Sequence, residues 1–337
     1  MIRLQRLIRF EFWPFWLFYI PAYIYWGILA CKARNTTYFT ATNPLMNNSG
    51  AINSSKYHYL SKLPKHWYPK TAIVKKSISA ESLRSILASH ALCFPLILKP
   101  DNGERGKEVE LVHTLEQLFQ ALEQSYYPNL LLQSFCSYTK EVAFLYVRKP
   151  NEKNGRITSI TVKKFCHLMG DGIRTWEAIL KEEIRIAHRW KTIIKREKLP
   201  WDEISIKDQK YLIEPIGSHN LGTEFNNGRE LNSPKLRALL DYWADQLPGF
   251  YYGRFDVKYQ NWEELLQGKS FALMEVNGVN AEPTHIYSPN YSIFQAYRDI
   301  FSHMKIIYEI SDQNRRLGIQ PKRLKPFLIE LIRTALR

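Results

Sequence analysis

The sequence predicts a mixed α/β or α+β protein, because segments with the pattern of β-strands alternate with segments that have the pattern of α-helices. No internal repeat is visible. Short apolar strands are expected at residues 71–75, 95–99, 109–112, 130–133, 142–147, 253–259 and 271–276. Helices are expected at residues 81–91, 114–124, 176–210, 234–247 and from 291 onward, with Thr114 and Ser233 as N-cap residues.

Composition limits the class of protein and of partner. The chain has 337 residues, of which 45% are hydrophobic and 23% charged, and this argues against wholesale disorder. Its net charge of +15 favours a polyanionic partner, such as nucleic acid, an acidic membrane or a phosphate-rich ligand. No nucleic-acid motif is present, so nucleic acid is not expected. The four cysteines form no CxxC pair, which excludes a zinc ribbon and fits reduced thiols in a cytosolic protein.

Residues 12–31 contain no charged side chain and are rich in aromatic residues. Pro14 and Pro21 would kink a helix there, and basic residues flank the segment on both sides. These features favour a re-entrant or interfacial membrane segment on the cytoplasmic face. A secretory signal and an aromatic helix packed on the protein's own core remain alternatives.

Two segments have the residues expected at a nucleotide site. Lys99 ends an apolar strand and is followed by a glycine-bearing basic loop with Gly103, Arg105, Gly106 and Lys107. A fixed cation and a loop of backbone N–H groups can hold phosphate oxygens. Further along, the strand end that carries Gln133, Ser134, Phe135 and Cys136 precedes Glu141 by a few residues, and the two could hold adenine and ribose.

A third pair of strands has the residues of a magnesium site. Asp256 lies on one apolar strand, and Glu275 and Asn277 lie two residues apart on the next, so their side chains should share a face. Carboxylate and amide oxygens shared with nucleotide phosphates are what Mg²⁺ prefers. Arg254 precedes Asp256 by two residues and would add a cation for the transferred phosphate.

These motifs, in this order, resemble the ATP-grasp superfamily, which includes D-alanine–D-alanine ligase, glutathione synthetase and cyanophycin synthetase. The resemblance covers residues 56–290 and implies an α+β fold in which two subdomains enclose ATP. It also implies that Lys99 contacts the nucleotide, that the loop from Gly103 to Lys107 closes over the phosphates, and that Asp256, Glu275 and Asn277 bind Mg²⁺ or Mn²⁺. An earlier nucleotide-binding lysine of the family corresponds best to Lys56, with Lys62 as the alternative.

The chain departs from the family at its N-terminus, where about 55 residues replace the usual substrate-binding α/β domain. The expected organisation is therefore a hydrophobic N-terminal segment and loop at 1–55, an ATP-grasp domain at 56–290 with a nucleotide subdomain at 69–147, and C-terminal helices at 291–337. The last helix is amphipathic and could lie on lipid or dock on the ATP domain.

The expected activity is ADP-forming ligation of a carboxylate and an amine through an acyl phosphate, with a membrane-associated substrate as one possibility. A non-catalytic ATP-binding module at the membrane is the alternative. The acid and the acceptor cannot be named from the resemblance. Candidate substrate residues follow or precede the metal strands, and they are His219, Asn220, Arg229, Glu282, Thr284 and His285.

Overall fold

The structure is a computed structural model that describes residues 6, 8–103, 108–197 and 199–335. Its strands in chain order are β1 (Thr71–Lys75), β2 (Leu96–Pro100), β3 (Glu110–Val112), β4 (Asn129–Ser134), β5 (Lys140–Val147), β6 (Arg156–Lys164), β7 (His167–Met169), β8 (Lys210–Leu212), β9 (Glu224–Asn227), β10 (Tyr252–Tyr259) and β11 (Phe271–Asn277). Its helices are α1 (Phe15–Phe18), α2 (Ile20–Ala33), α3 (Lys56–Leu60), α4 (Ala80–Ser89), α5 (Leu115–Gln124), α6 (Trp176–Glu182), α7 (Trp190–Arg196), α8 (Pro234–Asp245), α9 (Trp262–Leu266), α10 (Ile293–Arg316) and α11 (Leu324–Ala335). The mixed α+β class predicted from the sequence is confirmed.

The first subdomain is a small antiparallel sheet with strand order β1-β4-β2-β3. Alternate residues of its strands, such as Leu96, Leu98 and Leu132, are buried against α4 and α5. The helices begin as the sequence predicts, since the hydroxyls of Ser79 and Thr114 accept the N3-type backbone N–H bonds at their N-caps. The other sheet face, which carries Lys99 and Gln133, is turned toward the rest of the protein.

The second subdomain is an antiparallel sheet with strand order β11-β10-β5-β6-β9. One face packs on α8, where Trp243 is fully buried. The opposite face packs on α10 at one end and carries the charged side chains of β10 and β11 at the other. Strand β5 belongs to this sheet through its pairing with β10 and β6, so it lies outside the sheet of the nucleotide subdomain expected at 69–147.

The segment 176–210 is not the long helix that its charges suggested. It forms two short helices, α6 and α7, followed by a turn that leads into β8. Trp176, Leu180 and Ile193 close a separate small core with the two-stranded sheet formed by β7 and β8. The apolar residues needed for this core interrupt the charged pattern, and Pro200 cannot continue a helix.

The N-terminal segment packs on the protein along one side. Ala22 of α2 is buried beside Ala296 and Ile300 of α10, and Leu29 and Ala33 are buried further along the same helix pair. Packing on the protein's own core, one of the alternatives from the sequence, therefore describes this face of α2. No helix in the described ranges is long and apolar enough to cross a membrane.

The C-terminal helix α11 docks on the body of the protein. Phe327 is buried and its ring meets that of Phe39 in an edge contact with centroids 5.5 Å apart. Glu330 accepts hydrogen bonds from the side-chain amides of Asn47 and Asn53, both at 3.1 Å. These bonds connect α11 to the loop that leads into α3.

Two glycines let this N-terminal loop reach the end of β11. A Cβ on Gly278 would lie 2.1 Å from the carbonyl oxygen of Ser49, and one on Gly50 would lie 2.7 Å from the Cα of Gly278. Gly50 also has a φ of +80°, which disfavours other residues. The backbone N–H of Val279 donates to Ser49 at 2.9 Å and closes the contact. Asn277 is thus held next to a glycine–glycine contact.

We predict that Gly278→Ala destabilises the protein by about 2 kcal/mol or more, because the added methyl group must displace backbone rather than a flexible side chain. Gly27→Ala is the matched control. A Cβ at position 27 of α2 meets no atom within 4 Å, so this change should alter stability by less than about 1 kcal/mol. Urea unfolding followed by circular dichroism measures both. Equal stability of the two variants would contradict this role of the glycine contact.

Candidate active site

A β-bulge sets the direction of the side chains at the end of β11. Asp256 is opposite Glu275, whereas Val257 is opposite Leu273, so Met274 is an extra residue. The insertion lets Phe271 and Leu273 face the buried core while Glu275 and Asn277 share the opposite face with Asp256 and Arg254. The face shared by Glu275 and Asn277 was predicted from the sequence. The bulge that places this face opposite to the core residues Phe271 and Leu273 was not.

Asp256 lies at the centre of the candidate site. Its carboxylate accepts hydrogen bonds from Arg254 Nε at 2.9 Å, from Lys163 Nζ at 2.9 Å and from the side-chain amide of Asn277 at 3.1 Å. Burial by itself would raise the pKa of Asp256, but the charges of Arg254 and Lys163 outweigh it and lower the pKa below its usual value. Asp256 is therefore ionised at neutral pH.

Lys163 joins this site although sequence reasoning missed it. Its side chain is only 7% exposed, and its Nζ lies 2.5 Å from Glu141 Oε1 as well as 2.9 Å from Asp256 Oδ1. Burial alone would lower the pKa of Lys163, yet the two carboxylates raise it above its usual value. The signal in the sequence was the alternation of small polar residues and isoleucines in β6, whose last two residues are Lys163 and Lys164.

A second lysine, Lys56, bridges the end of β11 and the loop that follows β2. Lys56 Nζ contacts Glu275 Oε1 at 2.7 Å and donates to the carbonyl oxygen of Gly103 at 2.6 Å. The start of α3 is held in place by Asp101, whose carboxylate accepts the backbone N–H of Tyr57 at 2.9 Å. The structure thus places the lysine inferred from the family pattern beside Glu275, and Lys62 is not needed for this position.

Lys99 connects the two sheets. From β2 its Nζ donates to Gln133 Oε1 at 2.9 Å and reaches the carbonyl oxygen of Met274 at 3.4 Å. Gln133 is oriented in turn by Thr71, to which it donates at 2.9 Å. Burial lowers the pKa of Lys99 to about 8, against the opposing effect of Glu275. Lys56, Lys99, Glu141, Lys163, Arg254, Asp256 and Glu275 are called the charged cluster from here on.

The strand end proposed to hold adenine lies beside this cluster. Ser134 ends β4, and Lys258 Nζ lies over the ring of Phe135, 5.8 Å from its centroid. Burial raises the pKa of the Cys136 thiol, so this cysteine is not an activated nucleophile. Of the expected phosphate loop, Gly103 is at the cluster, whereas Arg105, Gly106 and Lys107 lie outside the described residues.

The donor set fits a divalent cation that is shared with a ligand. Within the described ranges no three His, Cys, Asp or Glu side chains are grouped to hold a metal by themselves. Asp256 and Glu275 supply two carboxylates in register, and Asn277 adds an amide oxygen. Two carboxylates with room for phosphate oxygens are the usual protein contribution to a magnesium–nucleotide site.

Three of the proposed substrate residues do not belong to the charged cluster. His219 lies 3.2 Å from the buried carboxylate of Glu11, which also forms an ion pair with Arg185 at 3.0 Å. Its ring also contacts Phe225, whose other neighbour is Lys163. His219 is therefore next to the cluster and bound to the N-terminal segment. Asn220 and Arg229 are exposed on short 3₁₀ turns.

The segment after β11 has a buried and a partly exposed part. His285 is buried, with one ring nitrogen 2.7 Å from Ser159 Oγ and the other 3.0 Å from Asp299. Thr284 pairs with Thr161 at 2.9 Å. These contacts support the hydrogen-bonding role that sequence analysis left open for His285. The carboxylate of Glu282 accepts a hydrogen bond from the hydroxyl of Tyr287 at 3.0 Å. Burial alone would lower the pKa of Arg254, but the charge of Asp256, with a smaller contribution from Glu282, raises it above its usual value.

The chain matches no protein-family model and no curated protein in sequence. It is similar to several solved structures. With a bifunctional glutathione synthetase from Pasteurella multocida it shares 13% identity at a TM-score of 0.40, covering 76% of this chain and 38% of that one. With a D-Ala:D-Ser ligase from Enterococcus faecalis the values are 10% and 0.44, over 79% and 64%. With a D-alanine–D-alanine ligase from Bacillus anthracis they are 14% and 0.46, over 81% and 72%.

These three proteins are ATP-grasp enzymes, the superfamily that the sequence motifs resemble. The chain spans less than two thirds of the length of the first two, 38% and 64% respectively. The similarity is structural and the identity is low. It assigns neither substrates nor residue roles to this chain.

We predict that Asn277→Asp creates a site whose stability depends on divalent cations. The new carboxylate would lie where the amide now donates to Asp256, and the repulsion should cost roughly 1 to 2 kcal/mol. Added Mg²⁺ or Mn²⁺ should restore more thermal stability in this variant than in the wild type, as measured by differential scanning fluorimetry. Asn261→Asp is the control, because Asp replaces Asn equally well at the N-cap of α9. An identical cation response in the two variants would contradict a cation site at Asp256 and Glu275.

Proposed function

We propose that this protein is an ATP- and Mg²⁺-dependent ligase that joins a carboxylate to an amine through an acyl phosphate and releases ADP. The observation that carries the proposal is the charged cluster, in which four cationic side chains meet three carboxylates on adjacent strands. The cations are Lys56, Lys99, Lys163 and Arg254, and the carboxylates are Glu141, Asp256 and Glu275. A polyphosphate is the ligand that such an arrangement suits best.

The two sheets would enclose the nucleotide. Lys99 and Gln133 come from the small sheet, while Glu141 and Lys163 come from the large one. Lys56, Lys99 and Lys163 would bind phosphate oxygens, and the strand end from Gln133 to Cys136 would hold adenine, with Glu141 near the ribose. Gly103 opens the loop that would close over the phosphates. Bound Mg²⁺ would be held by Asp256, Glu275 and Asn277 and would neutralise phosphate charge.

The chemistry needs positioning and charge more than a side-chain nucleophile. A carboxylate oxygen of the acid substrate attacks the γ-phosphorus, and the bond to ADP breaks. The nitrogen of the amine then attacks the carbonyl carbon of the acyl phosphate, phosphate leaves, and the nitrogen loses a proton. Arg254 is positioned to bind the transferred phosphoryl group, because Asp256 directs its guanidinium along the strand face. Lys99, from the small sheet, would stabilise negative charge on the phosphates.

The acceptor would enter on the side of Glu282. This carboxylate is partly exposed, is close enough to Arg254 to affect its pKa, and has the Tyr287 hydroxyl as its partner. A carboxylate beside the transferred group can bind an ammonium and take its proton. His219 lies in ring contact with Tyr287, so it belongs to the same wall.

Two further parts of the proposal are separable from this chemistry. ATP is available on the cytoplasmic side of a membrane, and we place the reaction there, with a lipid-linked substrate. If the protein binds no lipid, the ligase would act on soluble substrates with the same residues. The competing function is a non-catalytic ATP-binding module, which the paired carboxylates beside Arg254 disfavour.

We predict that the protein releases ADP from Mg-ATP only when the correct acid is present. Pools of amino acids, peptides, hydroxy acids and lipid extract would be screened, with hydroxylamine added to trap an acyl phosphate as a hydroxamate. Asp256→Ala/Glu275→Ala should abolish the signal, because both carboxylates of the cation site are lost. Glu263→Ala/Glu264→Ala on the surface helix α9 is the control, and it should retain activity. Tight Mg-ATP binding without ADP from any pool would favour the non-catalytic module.

We predict that Mg-ATP affinity falls as the pH rises through about 8, the pKa to which burial lowers Lys99. Below this pH the lysine is charged and binds phosphate. Above it the free protein has lost the proton, so binding must take one up from solution. Isothermal titration calorimetry in two buffers of different ionisation enthalpy measures that uptake. Lys99→Met should bind more weakly at neutral pH and show no proton uptake near pH 8. Uptake that persists in this variant would assign the proton to another group.

A further inference from the structure

One face of the helix α2 has no partner among the residues that the structure describes. Ala22, Leu29 and Ala33 are buried against the protein, while the opposite side of the helix exposes large apolar residues. They recur at helical spacing, so they lie on one side. We call Ile20, Tyr23, Ile24 and Ile28 the exposed stripe, and their exposed fractions are 44%, 53%, 64% and 59%.

The helix cannot turn this stripe inward, because both of its ends are attached to α10. The hydroxyl of Tyr297 donates to the carbonyl oxygen of Phe18 at 2.9 Å, just before α2. At the other end Arg315 donates to the carbonyl oxygen of Ala33 at 2.9 Å. Between them the rings of Tyr25 and Phe301 are in contact, with centroids 5.0 Å apart. The apolar surface is therefore presented on a fixed element.

The surroundings of the stripe indicate what covers it. Trp16, in the short helix before α2, is 65% exposed, and tryptophan favours the interface between lipid and water. Lys32 and Arg34 are exposed at the C-terminal end of α2. With 14 residues the helix is about 21 Å long, shorter than the roughly 30 Å hydrocarbon core of a bilayer.

The neighbouring helix α10 adds one aromatic and two basic residues on the side next to α2. Phe294, Arg298 and Lys305 lie at positions i, i+4 and i+11, beside the residues that contact α2, and Phe294 is 82% exposed. Arg298 contacts Asp299 at 3.3 Å and Lys305 contacts Glu309 at 3.9 Å, so their charge is partly balanced. Lys32 and Arg34 therefore contribute the larger part of the positive charge.

We propose that the exposed stripe, with Trp16 and the basic end of α2, is a surface that binds an anionic lipid membrane with α2 parallel to its plane. An amphipathic helix with aromatic and basic residues binds this kind of surface. A symmetric dimer through the same face would bring the basic residues of two copies, each with a net charge of +15, against one another. This inference deepens the lipid part of the proposed function and does not depend on the ligase chemistry.

Vesicle co-sedimentation of the full chain tests the proposal. The probes are vesicles of phosphatidylcholine alone and of phosphatidylcholine mixed with phosphatidylglycerol. The wild type should bind the mixed vesicles and bind the neutral ones more weakly. Ile24→Glu/Ile28→Glu should reduce binding to the mixed vesicles at least about tenfold, because two charges then enter the lipid-facing side. The substituted side chains are exposed, so the unfolding temperature should be unchanged.

Two further variants separate the effect of charge from that of the exposed stripe. Ile173→Glu/Ile206→Glu makes the same change at two isoleucines that are 77% and 65% exposed near the two-stranded sheet of β7 and β8, and it should bind like the wild type. Lys32→Gln/Arg34→Gln should lose binding severalfold to the mixed vesicles only. Equal loss in the Ile173→Glu/Ile206→Glu variant, or none in the Ile24→Glu/Ile28→Glu variant, would overturn the proposal. So would a dimer in sedimentation velocity that Ile24→Glu/Ile28→Glu dissociates, together with no vesicle binding. In each of these cases Mg-ATP turnover would still decide the ligase function separately.

Discussion

The ionised, buried carboxylate of Asp256 is the interaction on which the site depends. It is bonded at once to Lys163 from β6, to Arg254 from its own strand and to Asn277 from β11. A buried charge is costly unless it is paired and hydrogen-bonded, and here its partners come from three strands of one sheet. The assembly of this sheet and the positions of the cations therefore support one another. Removing the carboxylate would leave Arg254 and Lys163 without their main counter-charge.

The same ion pairs keep the cationic side chains out of solvent, and they also occupy the groups that would bind phosphate. Lys56 is bonded to Glu275, and Lys163 to Glu141 and Asp256. In the proposed reaction a polyphosphate with its cation would replace part of this pairing, so that lysines now bonded to carboxylates turn to phosphate oxygens. The small sheet contributes to this exchange through Lys99, whose contact with the carbonyl oxygen of Met274 spans the two sheets. In the proposed reaction, phosphate binding by Lys99 would therefore be linked to the contact between the two sheets.

The N-terminal segment illustrates how one sequence feature can serve two interactions. The apolar and aromatic segment that suggested membrane binding packs one of its faces on α10. It also brings Glu11 to Arg185 and His219, beside the wall proposed for the acceptor. In the proposed function its outward face would bind a membrane, and its inward face would add to the acceptor side of the site.

The sequence by itself determined the strands β1 to β5, β10 and β11, the caps at Ser79, Thr114 and Ser233, and the face shared by Glu275 and Asn277, because these follow from local spacing and local hydrogen bonds. Strands β6 to β9 were not predicted. Tertiary structure decided what local patterns cannot specify. It placed Lys163 between two carboxylates from other strands, inserted the bulge at Met274, and divided the charged segment 176–210 into two short helices around its own core. It also enclosed His285 with Ser159 and Asp299. Each of these depends on contacts between residues that are distant in the chain, and such contacts leave no periodic signal in the sequence.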